Sequence, residues 1–206
     1  MNEKNDANLG ERDSGKLGEL VLKNPGTGTR EDGPLIPKQD EQMIRNDIII
    51  VAPHPDDEII GCYEILRHHR PVIIYTGVDI PNERRENALK IKKFFNIKAQ
   101  FFLSSIPPAF LDPTNTFFFP HPLYETHFEH RLQGIVGEQL ARGGNENIYF
   151  YSTEMNAPFK HNCKYSKDKK TMLNSCYPDQ ASMWEYEHKY FLFSGYDKWV
   201  YDVENL

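Results

Sequence analysis

Cysteine is scarce in this chain. Cys62, Cys163 and Cys176 are the only three, an odd number without regular spacing, which excludes a disulfide scaffold and fits a reduced, cytoplasmic protein. No apolar run approaches the roughly 20 residues that a membrane span requires, and the N-terminus lacks the apolar core of a signal peptide. Positive charge is not in excess either: the net charge is -6, which argues against a nucleic-acid backbone as partner. Aromatic residues are missing from Met1 to Gln42, where Asn, Glu, Lys, Asp, Gly and Pro dominate. Such a segment buries too little apolar surface to offset its ordering entropy. Residues 1–44 are therefore expected to form a disordered tail, in which Leu17 to Leu22 could make a helical turn or dock, and residues 45–206 a single domain. No G-x-G-x-x-G follows the first apolar run, which disfavours a nucleotide-binding regulatory domain.

Beyond residue 46 the chain alternates short β-branched runs with longer amphipathic ones. Asp47 to Ala52, Val72 to Thr76, Ala99 to Leu103 and Ile148 to Ser152 read as strands. Helices are expected at about Asp57 to His69, at Glu83 to Phe95 between Asn82 as N-cap and Asn96 as left-handed C-terminal residue, and from near Glu125–Glu129 to Arg142. In the last of these, Leu132, Ile135, Val136, Gln139 and Leu140 form the i, i+3, i+4 stripe. A further helix is expected around Lys169 to Asn174 and a final one from Met183 to Phe193, with Trp199 to Val203 pairing or docking after it. Ser104 to Thr126, rich in proline and holding Phe117, Phe118 and Phe119, reads as a long irregular loop whose phenylalanines anchor a lid or line a recess. Strand, helix, strand in this order implies right-handed βαβ units, hence an α/β fold: a Rossmann-like three-layer sandwich with a mostly parallel sheet.

The first strand ends in His54-Pro55-Asp56-Asp57-Glu58. In open α/β sheets the ligand site lies beyond the carboxyl ends of the strands, where this cluster falls. Adjacent carboxylates raise one another's pKa unless a cation offsets their charge. A solvated acidic helix start is the alternative. His127-Phe128-Glu129-His130 places two imidazoles three residues apart, on one helical face. Histidines and an aspartate around an open position make a catalytic zinc arrangement, and other divalent transition metals accept the same donors. His121 ranks behind these as a candidate, and His68, His69 and His188 read as solvated or structural.

The His54–Glu58 stretch after an apolar strand resembles the signature of the PIG-L/LmbE-like family of zinc-dependent N-deacetylases, which includes N-acetylglucosaminyl-phosphatidylinositol de-N-acetylase. His127 to Arg131 is similar to the family's HPDH segment, with Phe128 and Glu129 in place of its Pro and Asp. Arg84-Arg85-Glu86-Asn87-Ala88 resembles its R-R-x-E-A helix start, and Lys169 to Gln180 its lysine-bearing helix that leads to a Gln near the site. The resemblance spans about residues 47–183. It implies an LmbE-like fold with His54, Asp57 and His130 as zinc ligands. Asp56 would be the general base toward a metal-activated water. His127 would stabilise the oxyanion or protonate the leaving amine, and Arg84 or Arg85 would hold substrate hydroxyls or a phosphate. The implied substrate is a small acetylated amino sugar or its conjugate. Hydrolysis of another small amide, or binding of a metal or sugar without catalysis, are the alternatives. The sequence sets no oligomeric state.

Overall fold

In the computed structural model, residues 47–157, 160–188, 191–194 and 198–201 are described. The chain divides into two units, Met1–Leu35 and Ile36–Leu206, and the described residues belong to the second. The expected disordered tail over 1–44 lies outside them.

Strand β1 (Ile48–Ala52) leads into helix α1 (Asp57–His68), β2 (Val72–Tyr75), α2 (Asn82–Phe95) and β3 (Ala99–Phe102). Strand β4 (Thr116–Pro120), helix α3 (Phe128–Arg142) and β5 (Ile148–Tyr151) follow. Then come β6 (Lys160–Asn162), helix α4 (Ser166–Cys176), a 3-10 segment (Pro178–Trp184), β7 (Tyr186–His188), β8 (Phe191–Ser194) and β9 (Lys198–Tyr201). One sheet runs in the order β3-β2-β1-β4-β5-β8-β9, while β6 and β7 pair separately. The first five strands are parallel; β8 and β9 extend the sheet antiparallel. The expected α/β class with a mostly parallel sheet is thus realised.

Alternation along the strands explains the layers. Ile50 and Ala52 of β1 face a core shared with Ile59, Ile65, Ala88 and Leu173 of α1, α2 and α4. Ile49 and Val51 face the other core, with Phe110, Phe117, Phe119, Val136, Leu140 and Ala141. Helices therefore cover both faces, as a parallel sheet requires. No helix among the described residues is long and apolar enough to cross a membrane.

Three expectations are corrected. Phe117, Phe118 and Phe119 belong to no loop: they form β4, fully buried between β1 and β5. Aromatic residues suit a covered strand, and the prolines around them masked that signal. The described residues of the expected helix from Met183 to Phe193 do not form one: the 3-10 segment ends at Trp184, and strands β7 and β8 follow. On α3 only half of the expected stripe faces inward: Val136 and Leu140 pack on the core. His130, Gln133, Gly134, Gly137 and Ala141 are buried, while Leu132 and Ile135 are exposed. Glycine decides this orientation, because it lets the helix backbone approach β4. A Cβ on Gly134 would lie 2.6 Å from the Pro120 carbonyl oxygen and 2.7 Å from the Pro122 nitrogen.

At the helix ends the chain follows its local chemistry with one shift. Asn96 adopts the left-handed conformation (φ 52°, ψ 42°) that ends α2, as expected. Pro81, not Asn82, occupies the N-terminal capping position. Lys169 is fully buried and donates from Nζ to the Ile60 carbonyl at 2.7 Å, close to the break in α1 at Cys62.

One stability prediction arises here. Gly134→Ala should destabilise the fold by roughly 2 kcal/mol, because overpacking against fixed backbone (about 1–3 kcal/mol) outweighs the helix-propensity gain of up to about 1 kcal/mol. Urea denaturation reads this directly. An unchanged or raised midpoint would mean that α3 does not pack this closely on β4.

Candidate metal centre

The strand order reverses at β1, which has β2 on one side and β4 on the other. Ligands bind at such a switch point, at the carboxyl ends of the strands. The turn after β1 and the approach to α3 after β4 both open there. A cavity of about 480 Å³ occupies this place, lined by His54, Asp56, Asp57, Arg84, His127 and His130 among others.

The β1–α1 turn is tightly built. The His54 backbone N–H donates to Asp57 Oδ2 at 2.7 Å, and the Asp56 N–H donates to Glu58 Oε2 at 3.0 Å. Asp56 has φ 142°. A non-glycine residue held there stores strain, a feature that clusters at functional sites. Gly77, at the end of β2, lies against this turn: a Cβ would stand 2.3 Å from the Pro53 carbonyl oxygen.

Three acceptor atoms converge. His54 Nδ1 lies 3.1 Å from His130 Nε2. Asp57 Oδ2 lies 3.3 Å from His130 Nε2 and 3.8 Å from His54 Nδ1. Donors at zinc-type bond lengths of about 2.0–2.1 Å in a tetrahedron stand about 3.3 Å apart, so the triangle has the size of a tetrahedral face. The far nitrogens are both engaged by carboxylates. His54 Nε2 meets Glu129 Oε2 at 2.6 Å, and His130 Nδ1 meets Glu125 Oε2 at 2.9 Å. Glu129 is held by the Val78 N–H, and Glu125 by the Thr153 N–H and hydroxyl. A carboxylate on the far nitrogen fixes the tautomer, with the proton there and the lone pair facing the centre. With both rings neutral, two imidazole lone pairs and a carboxylate oxygen face one another, an arrangement that a proton or a metal cation relieves.

His127 caps α3 and is exposed. Its ring centroid lies 4.8 Å from that of His54 and 5.1 Å from that of His130. His54, His127 and His130 have potential ligand atoms within 4.8 Å of one another and could hold a metal ion. The two donor sets share His54 and His130. Asp57 gives the tighter triangle and is buried, whereas His127 stands on the open side.

Electrostatics carries the same demand for positive charge. Burial opposes a charged His130, but Asp57 and Glu125 outweigh it and raise its pKa to about 11. Burial likewise opposes an ionised Asp57, yet His130 and His54 hold its carboxyl below the ordinary range. Asp56 is raised well above the ordinary value by burial and by the Asp57 charge, against the pull of Arg84. Burial also raises Glu58, to about 7.

A pH prediction follows for the metal-free protein. The folded pKa of His130 exceeds the ordinary 6.5, so its stabilisation is complete below 6.5 and is lost as pH rises toward about 11. Metal would replace that proton. Binding of a divalent cation near pH 7.5 should therefore release a proton, read by calorimetry as a binding heat that changes linearly with the buffer's ionisation enthalpy. Proton-free binding would contradict this pairing.

Of the residues singled out in the sequence, His54, Asp56, Asp57, Arg84, His127 and His130 meet in the cavity. Arg84 Nη1 donates to Asp56 Oδ2 at 2.7 Å, and Nη2 to Asp179 Oδ2 at 2.5 Å. Arg85 is not brought to the cavity: its Nε donates to the Ile80 carbonyl and its guanidinium lies over the Phe102 ring. His121 is fully buried, with its pKa lowered to about 3 by burial, and stacks on Tyr124 away from the cavity. Gln180 and Met183 line the wall from the 3-10 segment. The roles of Glu125, Glu129, Thr153 and Asp179 escaped the sequence. The retained acid at Glu129 was a signal, but nothing local marks Glu125 or Asp179.

No protein-family model, no curated protein and no solved structure matches the chain.

Proposed function

We propose that the chain is a divalent-metal-dependent N-deacetylase of the PIG-L/LmbE-like kind, with zinc as the metal and a small acetylated amino sugar or its conjugate as substrate. One observation carries this: His54 Nδ1, Asp57 Oδ2 and His130 Nε2 converge at tetrahedral spacing, with both imidazoles anchored from behind by carboxylates. Asp57 is the third ligand on this view, which leaves the exposed His127 for the substrate. Bound metal would supply Lewis acidity and lower the pKa of a coordinated water to about 7.

The chain's own residues account for the rest. Asp56 borders the same cavity and accepts the proton from the attacking water, with Oδ2 held by Arg84. His127 stands at the open side, where it meets the developing oxyanion or returns a proton to the departing amine. Arg84 positions Asp56 and presents its second arm, now on Asp179, toward the substrate. Glu58 supports the turn and does not react, because it is fully buried under the Asp56 N–H.

A binding protein without catalysis is the second reading. The ion pair that ties Asp56 to Arg84 favours it, since a base must be free to take a proton. The decisive experiment combines metal analysis of the purified protein with acetate release from a panel of N-acetyl amino sugars. About one equivalent of metal and measurable acetate support the deacetylase. Metal without acetate on any substrate supports the binder, and absence of metal affinity removes both.

A further inference from the structure

The most apolar face of α3 points away from the domain. Phe128, Leu132, Ile135 and Gln139 recur at intervals of four, three and four residues. At 3.6 residues per turn they fall within an arc of about 60°. His130, Gln133, Gly134, Gly137 and Ala141 face the sheet on the opposite side. Phe128 is 74% exposed, Leu132 45% and Ile135 43%. Single exposed apolar residues are ordinary, but three in register on one helix mark an interaction surface.

Charge says what covers it. Arg131 and Glu138 both flank this stripe on the same side, seven residues apart and of opposite sign. We infer that the face binds a second copy of the chain, with α3 packed antiparallel on α3 across a two-fold axis. With Leu132 opposite the partner's Ile135 and Phe128 opposite the partner's Gln139, Arg131 comes beside the partner's Glu138. Symmetry makes the reverse pair as well. In a parallel pair the two-fold would carry this flank to the opposite side of the seam, so Arg131 and Glu138 would not meet. The 4-3-4 spacing is that of a two-helix seam, and flanking charges set its orientation. Within its own chain Glu138 accepts from Arg142 on Oε1, at 3.0 and 2.7 Å, and a second arginine would bind the same carboxylate.

A four-turn helix face is smaller than the about 800 Å² per partner of a standard stable interface, so the dimer belongs to the weak, reversible class. Its consequence is local: α3 carries His127 and His130 at its first turn, so pairing braces the helix that bears them.

Sedimentation equilibrium of the full chain, from micromolar to submillimolar concentration, tests this without any metal. Reversible dimerisation is expected. Leu132→Glu with Ile135→Glu should give monomers with an unchanged far-ultraviolet spectrum, since both side chains are exposed. Arg131→Glu alone should weaken the dimer roughly tenfold, and adding Glu138→Arg should restore it. A wild-type chain that stays monomeric overturns the proposal, as does a dimer indifferent to Leu132→Glu. Maleimide labelling of Leu132→Cys then gives the reason for a monomer, because the native cysteines are buried. Protection in a monomer would mean that another segment of the same chain covers the face.

Discussion

Replacing His130 with alanine is expected to abolish divalent-metal binding and all metal-dependent hydrolysis. Its Nε2 lies 3.1 Å from His54 Nδ1 and 3.3 Å from Asp57 Oδ2, so it joins two sides of the triangle. Losing a residue that only hydrogen-bonds a ligand costs about 10–100-fold in metal affinity, and loss of a ligand itself costs more. The fold should suffer too. Glu125 and Asp57 are buried and would both lose an ion-pair partner, a change typically worth about 3–5 kcal/mol. Unfolding must therefore be separated from loss of the ligand. Thermal melts with and without added zinc do so: bound metal raises the wild-type midpoint by mass action, while the variant should melt at one temperature regardless. A variant that still shows the zinc-dependent shift and retains stoichiometric metal would remove His130 from the centre.

The same geometry shows which parts of the chain could be read ahead of the structure. β1 and the acidic cluster at its end were legible because local signals agree there: a β-branched run for a covered strand, then residues unsuited to a core. The spacing of His127 and His130 was legible for the same reason, since helix geometry alone puts them on one face. What was hidden depends on distant partners. Glu125 and Thr153 meet only because β4 and β5 are neighbours in the sheet. The three phenylalanines of β4 were obscured by surrounding prolines. On α3 apolar periodicity was right for Val136 and Leu140 and wrong for Leu132 and Ile135, because two glycines seat the helix on a different side. Amphipathicity reports that a face is apolar, not that the domain itself covers it, and the outward stripe of α3 is what remains of that difference.

Asp56→Asn separates the two proposed functions most sharply. The substitution keeps size and leaves all three converging donors in place, so metal content should not change. If Asp56 is the base, kcat should fall by about 10²–10⁴. Stability should hold or rise at neutral pH, on a sign that can be worked out. Burial and the Asp57 charge raise the folded pKa of Asp56. An acid with a raised folded pKa binds its proton more tightly in the native state, so its ionisation subtracts stability above the ordinary carboxylate range. Asparagine ends that loss while giving up the Arg84 ion pair, and it can still accept from Nη1 through its amide oxygen. Loss of activity in a variant that melts no lower than wild type, with its metal retained, cannot then be assigned to unfolding. Arg84 sets the remaining condition. It holds Asp56 on one arm and the exposed Asp179 on the other, so a substrate group that displaces Asp179 would draw Arg84 outward and loosen its hold on Asp56. A deacetylase built this way gains a competent base only when its substrate is seated. A drop of less than about tenfold in kcat for Asp56→Asn, with metal intact, would take the proton transfer away from Asp56.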